Sequence, residues 1–202
     1  MPFSLKGIPV VGQYVGREDD LQHLQRTFHL KRPHGNRRSV FVLHGLGGMG
    51  KTQLAAEFAR RHHNKYSAVL WLDGSSRNQL EQSFVEAAHR LPAQELSADT
   101  VEQLQRTRIN TAVVVQGVRR WLSLPSNERW LLIIDNLDRD YNVPDEDRDP
   151  QAYDVGQYIP EADHGSIIIT SRLVSLQQRY ASGRRLDKVD NEDARAILEN
   201  KA

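Results

Sequence analysis

The chain has no cysteine. Disulfides and thiolate-bound metals are therefore excluded. No apolar run approaches the roughly 18–20 residues needed to span a bilayer, so no membrane partner is expected. The N-terminal stretch Met1 to Pro9 lacks the apolar core of a signal peptide, and we expect a cytoplasmic protein. Charge of one sign is also missing. With 27 basic against 26 acidic residues the formal net charge is +1. That balance gives no global pull toward nucleic acid or an anionic surface, and no nucleic-acid partner is expected. No internal repeat is visible. What remains is a chain of 202 residues, 39% apolar and 26% charged, long enough to bury a substantial core in one or two domains.

The most informative stretch is Gly45-Leu46-Gly47-Gly48-Met49-Gly50-Lys51-Thr52. It reads G-x-x-x-x-G-K-T, the P-loop pattern. The apolar segment Ser39 to His44 precedes it and the helix-forming run Gln53 to Arg60 follows it. Strand, glycine loop and helix are the context that gives the pattern physical meaning. Backbone N–H groups must approach phosphate oxygens closely, and glycine removes the side chains that would obstruct them. The helix start adds unpaired N–H groups and a positive dipole end. Lys51 can reach the β- and γ-phosphate oxygens, and the Thr52 hydroxyl is placed to ligate Mg²⁺. Met49 is read chiefly as loop packing, and His44 as a strand-end residue.

Around this loop the chain alternates strands and helices. Residues 1–14 hold prolines and glycines and are read as an extended lead-in, with one nucleotide-binding unit over 15–202. Leu21, Leu24 and Phe28 share one face of a first helix. The basic stretch His29 to Arg38, with Pro33 and Gly35, is read as a solvated loop, a partner- or nucleotide-facing edge being the other reading. His62 and His63 are adjacent and cannot share a helix face, which disfavours a metal site there. Ala68 to Gly74 is a second strand. Asp73 is read as its end cap, with a water-mediated place near the metal as the alternative. Ser75 and Ser76 can cap the next helix, and residues 97–124 read as helical. Residues 138–157 are acidic and turn-rich, a surface loop.

Trp130 to Asp135 is a continuous apolar run ending in a carboxylate. Such a run fits a strand covered on both faces, as in a parallel sheet. It delivers Asp135 to the carboxyl edge, where it can hold the Mg²⁺ that Thr52 ligates. Gly165 to Ser171 is a fourth strand followed by Arg172. If it lies beside the Asp135 strand, Arg172 arrives at the same edge and can read a γ-phosphate bidentately. Arg184 to Val189 is a short fifth strand, and Asn191 caps a last helix. The fold class is α/β: a three-layer P-loop NTPase fold with a five-stranded parallel sheet flanked by helices and right-handed crossovers.

The order Val15-Gly16-Arg17-Glu18, Gly45 to Thr52, Leu131 to Asp138, then Gly165 to Arg172 resembles the NB-ARC nucleotide-binding domain. That domain belongs to the STAND branch of P-loop ATPases, and the phrases are most similar to fungal NOD-like receptors. The resemblance covers nearly the whole chain. It implies an ATP/ADP switch with Mg²⁺, in which ADP holds a closed state and ATP an open, oligomerising one. It implies adenine contact by the Val15 backbone and Arg17, and phosphate binding by the loop from Gly45 and Gly47 through Gly48, Met49, Gly50, Lys51 and Thr52, with Gln53 following. It implies metal support from Thr52 and Asp135, and a γ-phosphate sensor at Arg172. Its partners would be same-family domains in a full-length oligomer, this stretch alone being monomeric. The chain departs from the family at Asn136, where relatives often carry a second acid. An amide can orient water but cannot take its proton at neutral pH, so slow hydrolysis is expected, with Asp138 the alternative second acid. The subdomains that follow in the family are not found in these residues. The competing class is a turnover ATPase of the AAA+ kind. A GTPase would want Asn-Lys-x-Asp, which the sequence lacks.

Overall fold

The structure is a computed structural model describing residues 16–30, 38–188 and 195. The expected lead-in, Val15, most of the basic loop and the last helix lie outside the described residues.

Five strands form one all-parallel sheet. They are β1 (Ser39–His44), β2 (Ala68–Asp73), β3 (Trp130–Asp135), β4 (Ser166–Ser171) and β5 (Gly183–Arg185), in the order β2-β3-β4-β1-β5. Every residue of β3 and of β4 is buried. This is why both read as unbroken apolar runs without alternation. Val42, Leu132, Ile134, Ile167 and Ile169 face one layer, and Phe41, Leu43, Leu131, Ile133 and Ile168 face the other.

The second layer holds α1 (Glu18–Leu30) and α2 (Lys51–His62). Leu21, Leu24 and Phe28 are buried there as their spacing predicts, against Phe41 and Phe58. The first layer is packed by α3 (Arg77–Ala88), α4 (Ala98–Gln105), α5 (Thr111–Leu122) and α6 (Val174–Tyr180). Ser76 caps α3 by accepting from the Gln79 N–H at 3.3 Å. Among the described residues no helix is long and apolar enough to cross a membrane.

Four details differ from expectation. The helical stretch 97–124 is two helices, because Arg106 turns extended after α4 and Asn110 precedes α5. The fifth strand is shorter and earlier, ending at Arg185, where it runs along β1 as a sheet edge. The acidic loop after β3 is anchored rather than wholly superficial. Tyr153, Val155 and Tyr158 are buried, and the Tyr153 hydroxyl donates to the Gly74 carbonyl at 2.7 Å. Finally, α6 links β4 to β5, an element the sequence pattern did not announce.

Candidate functional site

The carboxyl ends of β1, β4 and β3 sit side by side, with β4 between the other two. Parallel pairing points all three ends the same way, so the loops that follow them form one edge.

From β1 the chain turns into residues 45–50. Gly45 adopts φ 139°, and a Cβ there would lie 2.5 Å from the Leu186 carbonyl oxygen. No other residue fits this close backbone approach. Gly50 precedes α2 in the left-handed region at φ 81°, with no side-chain cap on the helix. The first turn of α2 carries no acidic residue. Its orphan N–H groups and dipole thus face the loop unneutralised. A Cβ at Gly47 or Gly48 would meet no atom within 4 Å, so the space over the loop there is open.

Lys51 Nζ donates to the carbonyls of Gly45 and Leu46, each at 2.9 Å. Two of its three N–H groups hold it across the loop mouth, leaving one for an anion. Burial lowers the Lys51 ammonium below its ordinary pKa. Asp138 and Asp135 oppose that shift and Arg172 adds to it. Gln53 follows half-buried, as does Met49, which packs against the α1–α2 core.

The Thr52 hydroxyl donates to Asp135 Oδ1 at 2.9 Å, and the Thr170 hydroxyl donates to the same oxygen at 2.5 Å. Asp135 is only 6% exposed. Burial pushes its carboxyl above the ordinary range. The two hydroxyls pull against that, while Asp73, its register neighbour on β2, adds to it. Asp73 itself caps its strand end by accepting from the Ser75 N–H at 2.9 Å, as read from sequence. A threonine hydroxyl that donates its proton to a carboxylate keeps its lone pairs outward. This donor set suits Mg²⁺, a hard cation held in phosphate sites by one or two carboxylates with phosphate oxygens and waters. Among the described residues no group of three or more histidines and carboxylates forms a separate metal cluster.

Asn136 turns left-handed at φ 62° and its backbone N–H donates to Thr170 Oγ1 at 3.0 Å. Thr170 therefore links β3 to β4 while also bracing Asp135. The Ser171 hydroxyl donates to the Leu137 carbonyl and completes that stitch. Arg172 reaches the same edge. Its backbone N–H donates to Asp138 Oδ1 and its Nε pairs with Asp138 Oδ2, both at 2.7 Å.

Arg17 flanks the loop from the other side. It has φ 57°, pairs with Asp20 at 3.1 Å and donates to the Asp187 carbonyl. Its Nε lies 3.8 Å from where a Gly50 Cβ would stand. Asp20, buried, also pairs with Arg184 of β5.

The residues expected from sequence thus converge: Gly45 to Gln53, Asp135, Asn136, Arg172 and Arg17 line one edge. Sequence reasoning missed Thr170 as the brace of Asp135, Asp138 as the partner of Arg172, and Asp20 as the link from Arg17 to β5. Thr170 was visible only as one of a hydroxyl pair at a strand end.

Fold and loop together define a P-loop NTPase. Within that class, a family model for the AAA ATPase domain matches residues 13–186. The chain belongs to that family. A nucleotide-binding leucine-rich repeat (NLR)-like protein of Hyaloscypha variabilis is 27% identical over 168 residues, covering 79% of this chain and 16% of that protein. Among solved structures, the Aeropyrum pernix ORC1 protein in complex with DNA superposes with a TM-score of 0.58 at 16% identity, over 94% of this chain and 50% of that one. The ADP form of the Aeropyrum pernix ORC2 protein superposes at 0.59 and 14% identity, over 95% and 54%. At such identities the two structures speak for the fold. The chain spans about half of those ORC chains and a smaller share of the NLR-like protein.

Proposed function

We propose that the domain is the ATP/ADP-sensing switch of an NLR-like signalling protein, binding adenine nucleotide with Mg²⁺ and hydrolysing ATP slowly. The observation that carries this is the residue after Asp135. Position 136, directly after the Asp135 carboxylate, is an amide, which cannot take a proton at neutral pH. A phosphate-binding loop beside Asp135, with no second carboxylate at the position that follows it, supports binding with slow hydrolysis. The likeness to the Hyaloscypha protein supports the same reading.

In this proposal the loop N–H groups and Lys51 hold the phosphates, and Thr52 and Asp135 hold Mg²⁺. A cation held by Thr52 and Asp135 would offset the charge of the phosphates. Asn136 orients water without taking its proton. Arg172 engages the terminal phosphate and Arg17 closes the loop's far side, toward the base. Oligomerisation with same-family domains would belong to the longer protein.

A second reading, a turnover ATPase or remodelling enzyme, is favoured by the AAA ATPase family and the ORC neighbours. Steady-state phosphate release at saturating Mg·ATP separates the two. The switch predicts turnover well below roughly 1 per second, the low end of ordinary enzymes. Sustained turnover above that rate assigns the enzyme reading.

A further inference from the structure

Asp138 grips Arg172 at two points, one on the backbone and one on the side chain. The Arg172 side chain is 66% exposed and that of Asp138 only 23%. The carboxylate is therefore the fixed half of the pair and the guanidinium the accessible half. Asp138 follows β3 and Arg172 follows β4, and β4 pairs along its length with β1, which leads into residues 45–52. The pair accordingly stands beside the phosphate-binding loop, not out on a remote surface.

We propose that Asp138 sets the nucleotide preference of the site, by holding Arg172 as an internal counter-ion that a terminal phosphate must displace. This inference rests on the nucleotide-binding reading above. The Arg172 Nε that pairs with Asp138 belongs to the fork that bidentate phosphate recognition uses. A γ-phosphate and the carboxylate thus compete for one guanidinium. ADP presents no γ-phosphate and asks for no exchange. The carboxylate therefore lowers the affinity for triphosphate selectively, biasing the switch toward its diphosphate state.

Asp138→Asn isolates the charge. The amide oxygen still accepts from the Arg172 N–H, so the strand end keeps its bond. Exposed ion pairs of this kind carry roughly two- to fivefold in an equilibrium constant. ATP affinity should rise by about that factor, with ADP affinity within about twofold of wild type. In an Arg172→Ala background the gain should disappear. The experiment is calorimetric titration of a slowly hydrolysed ATP analogue and of ADP, with Mg²⁺, into wild type, Asp138→Asn, Arg172→Ala and the double variant. Asp138→Ser serves as a second uncharged variant, and thermal melting verifies folding of each.

A wild type that binds neither nucleotide overturns the nucleotide reading itself. A wild type that binds both, with an unchanged ATP-to-ADP ratio in Asp138→Asn and Asp138→Ser, overturns only the role of Asp138. A gain equally large with and without Arg172 also overturns it, since plain repulsion would then act in place of partner exchange.

Discussion

Asp135 should show function and stability pulling in opposite directions. Its carboxylate is almost fully buried, lies in register beside Asp73, and is pushed toward protonation by burial. Two hydroxyls offset part of that cost, both on Oδ1. Asp135→Asn keeps an oxygen for both hydroxyls, keeps the volume, and removes the buried charge. Replacing a strained functional charge in this way commonly stabilises by about 0.5–2 kcal/mol. For a chain of this size each kcal/mol moves Tm by roughly 2–4 °C. We therefore expect Tm to rise by about 1–8 °C at neutral pH. The sign with pH follows from the raised pKa. Above it the wild-type carboxylate is charged and the variant is the more stable. As pH falls through it, wild type takes up a proton and the advantage of the variant vanishes. The same variant should lose the Mg²⁺-dependent part of nucleotide affinity, read as the difference between titrations in Mg²⁺ and in EDTA. Calorimetric melting across pH, paired with those titrations, tests both halves. A lower Tm at neutral pH would refute the reasoning. It would make Asp135 a structural acceptor for Thr52 and Thr170, not a carboxylate held ready for a cation.

Glu57 carries the opposite shift. Burial raises its pKa, but hydrogen bonds from Arg60 and Arg61 at 2.6–2.8 Å more than offset it, so the carboxyl titrates below its ordinary 4.5. Glu57→Gln should cost about 1 kcal/mol, discounted because both arginines are partly exposed. The cost should be fully present above the ordinary carboxylate range and shrink as pH falls through the depressed pKa, as urea melts between pH 3 and 7 would show; a flat difference would contradict it. Gly165→Ala should be far worse. A Cβ there would stand 2.2 Å from the fully buried Trp130 ring, at a backbone φ of 90°. Overpacking and strain together predict a loss of about 2–5 kcal/mol, read as a lower urea midpoint; an unchanged midpoint would show that the Trp130 pocket yields freely.

Much of the site was legible because it is local. The P-loop compresses strand end, glycine turn and helix start into eight consecutive letters, and β3 announces its own burial by an unbroken apolar run. What escaped is non-local or weakly patterned. α6 is seven residues long with Leu176 its one buried residue, too little for a helical period to register. β5 is three polar-leaning residues held by β1. The acidic letters of 138–157 masked Tyr153 and Val155, which anchor that loop. The grip of Asp138 on Arg172 crosses from the end of β3 to the end of β4, and it exists because those strands are neighbours. Strand order is set by packing of the whole sheet and is not written in either segment. The placement of Arg17 against the Asp187 carbonyl, and of Asp20 against Arg184, depends likewise on where β5 runs.

The central claim is that the edge formed by residues 45–52, Asp135 and Arg172 binds the phosphates of an adenine nucleotide. Titration of ADP and of a slowly hydrolysed ATP analogue into wild type and Lys51→Ala tests it most directly, with circular dichroism to verify folding. Wild type should bind both nucleotides. Lys51→Ala should stay folded and lose affinity for both beyond detection. Undiminished binding by folded Lys51→Ala would show that this edge does not hold the phosphates.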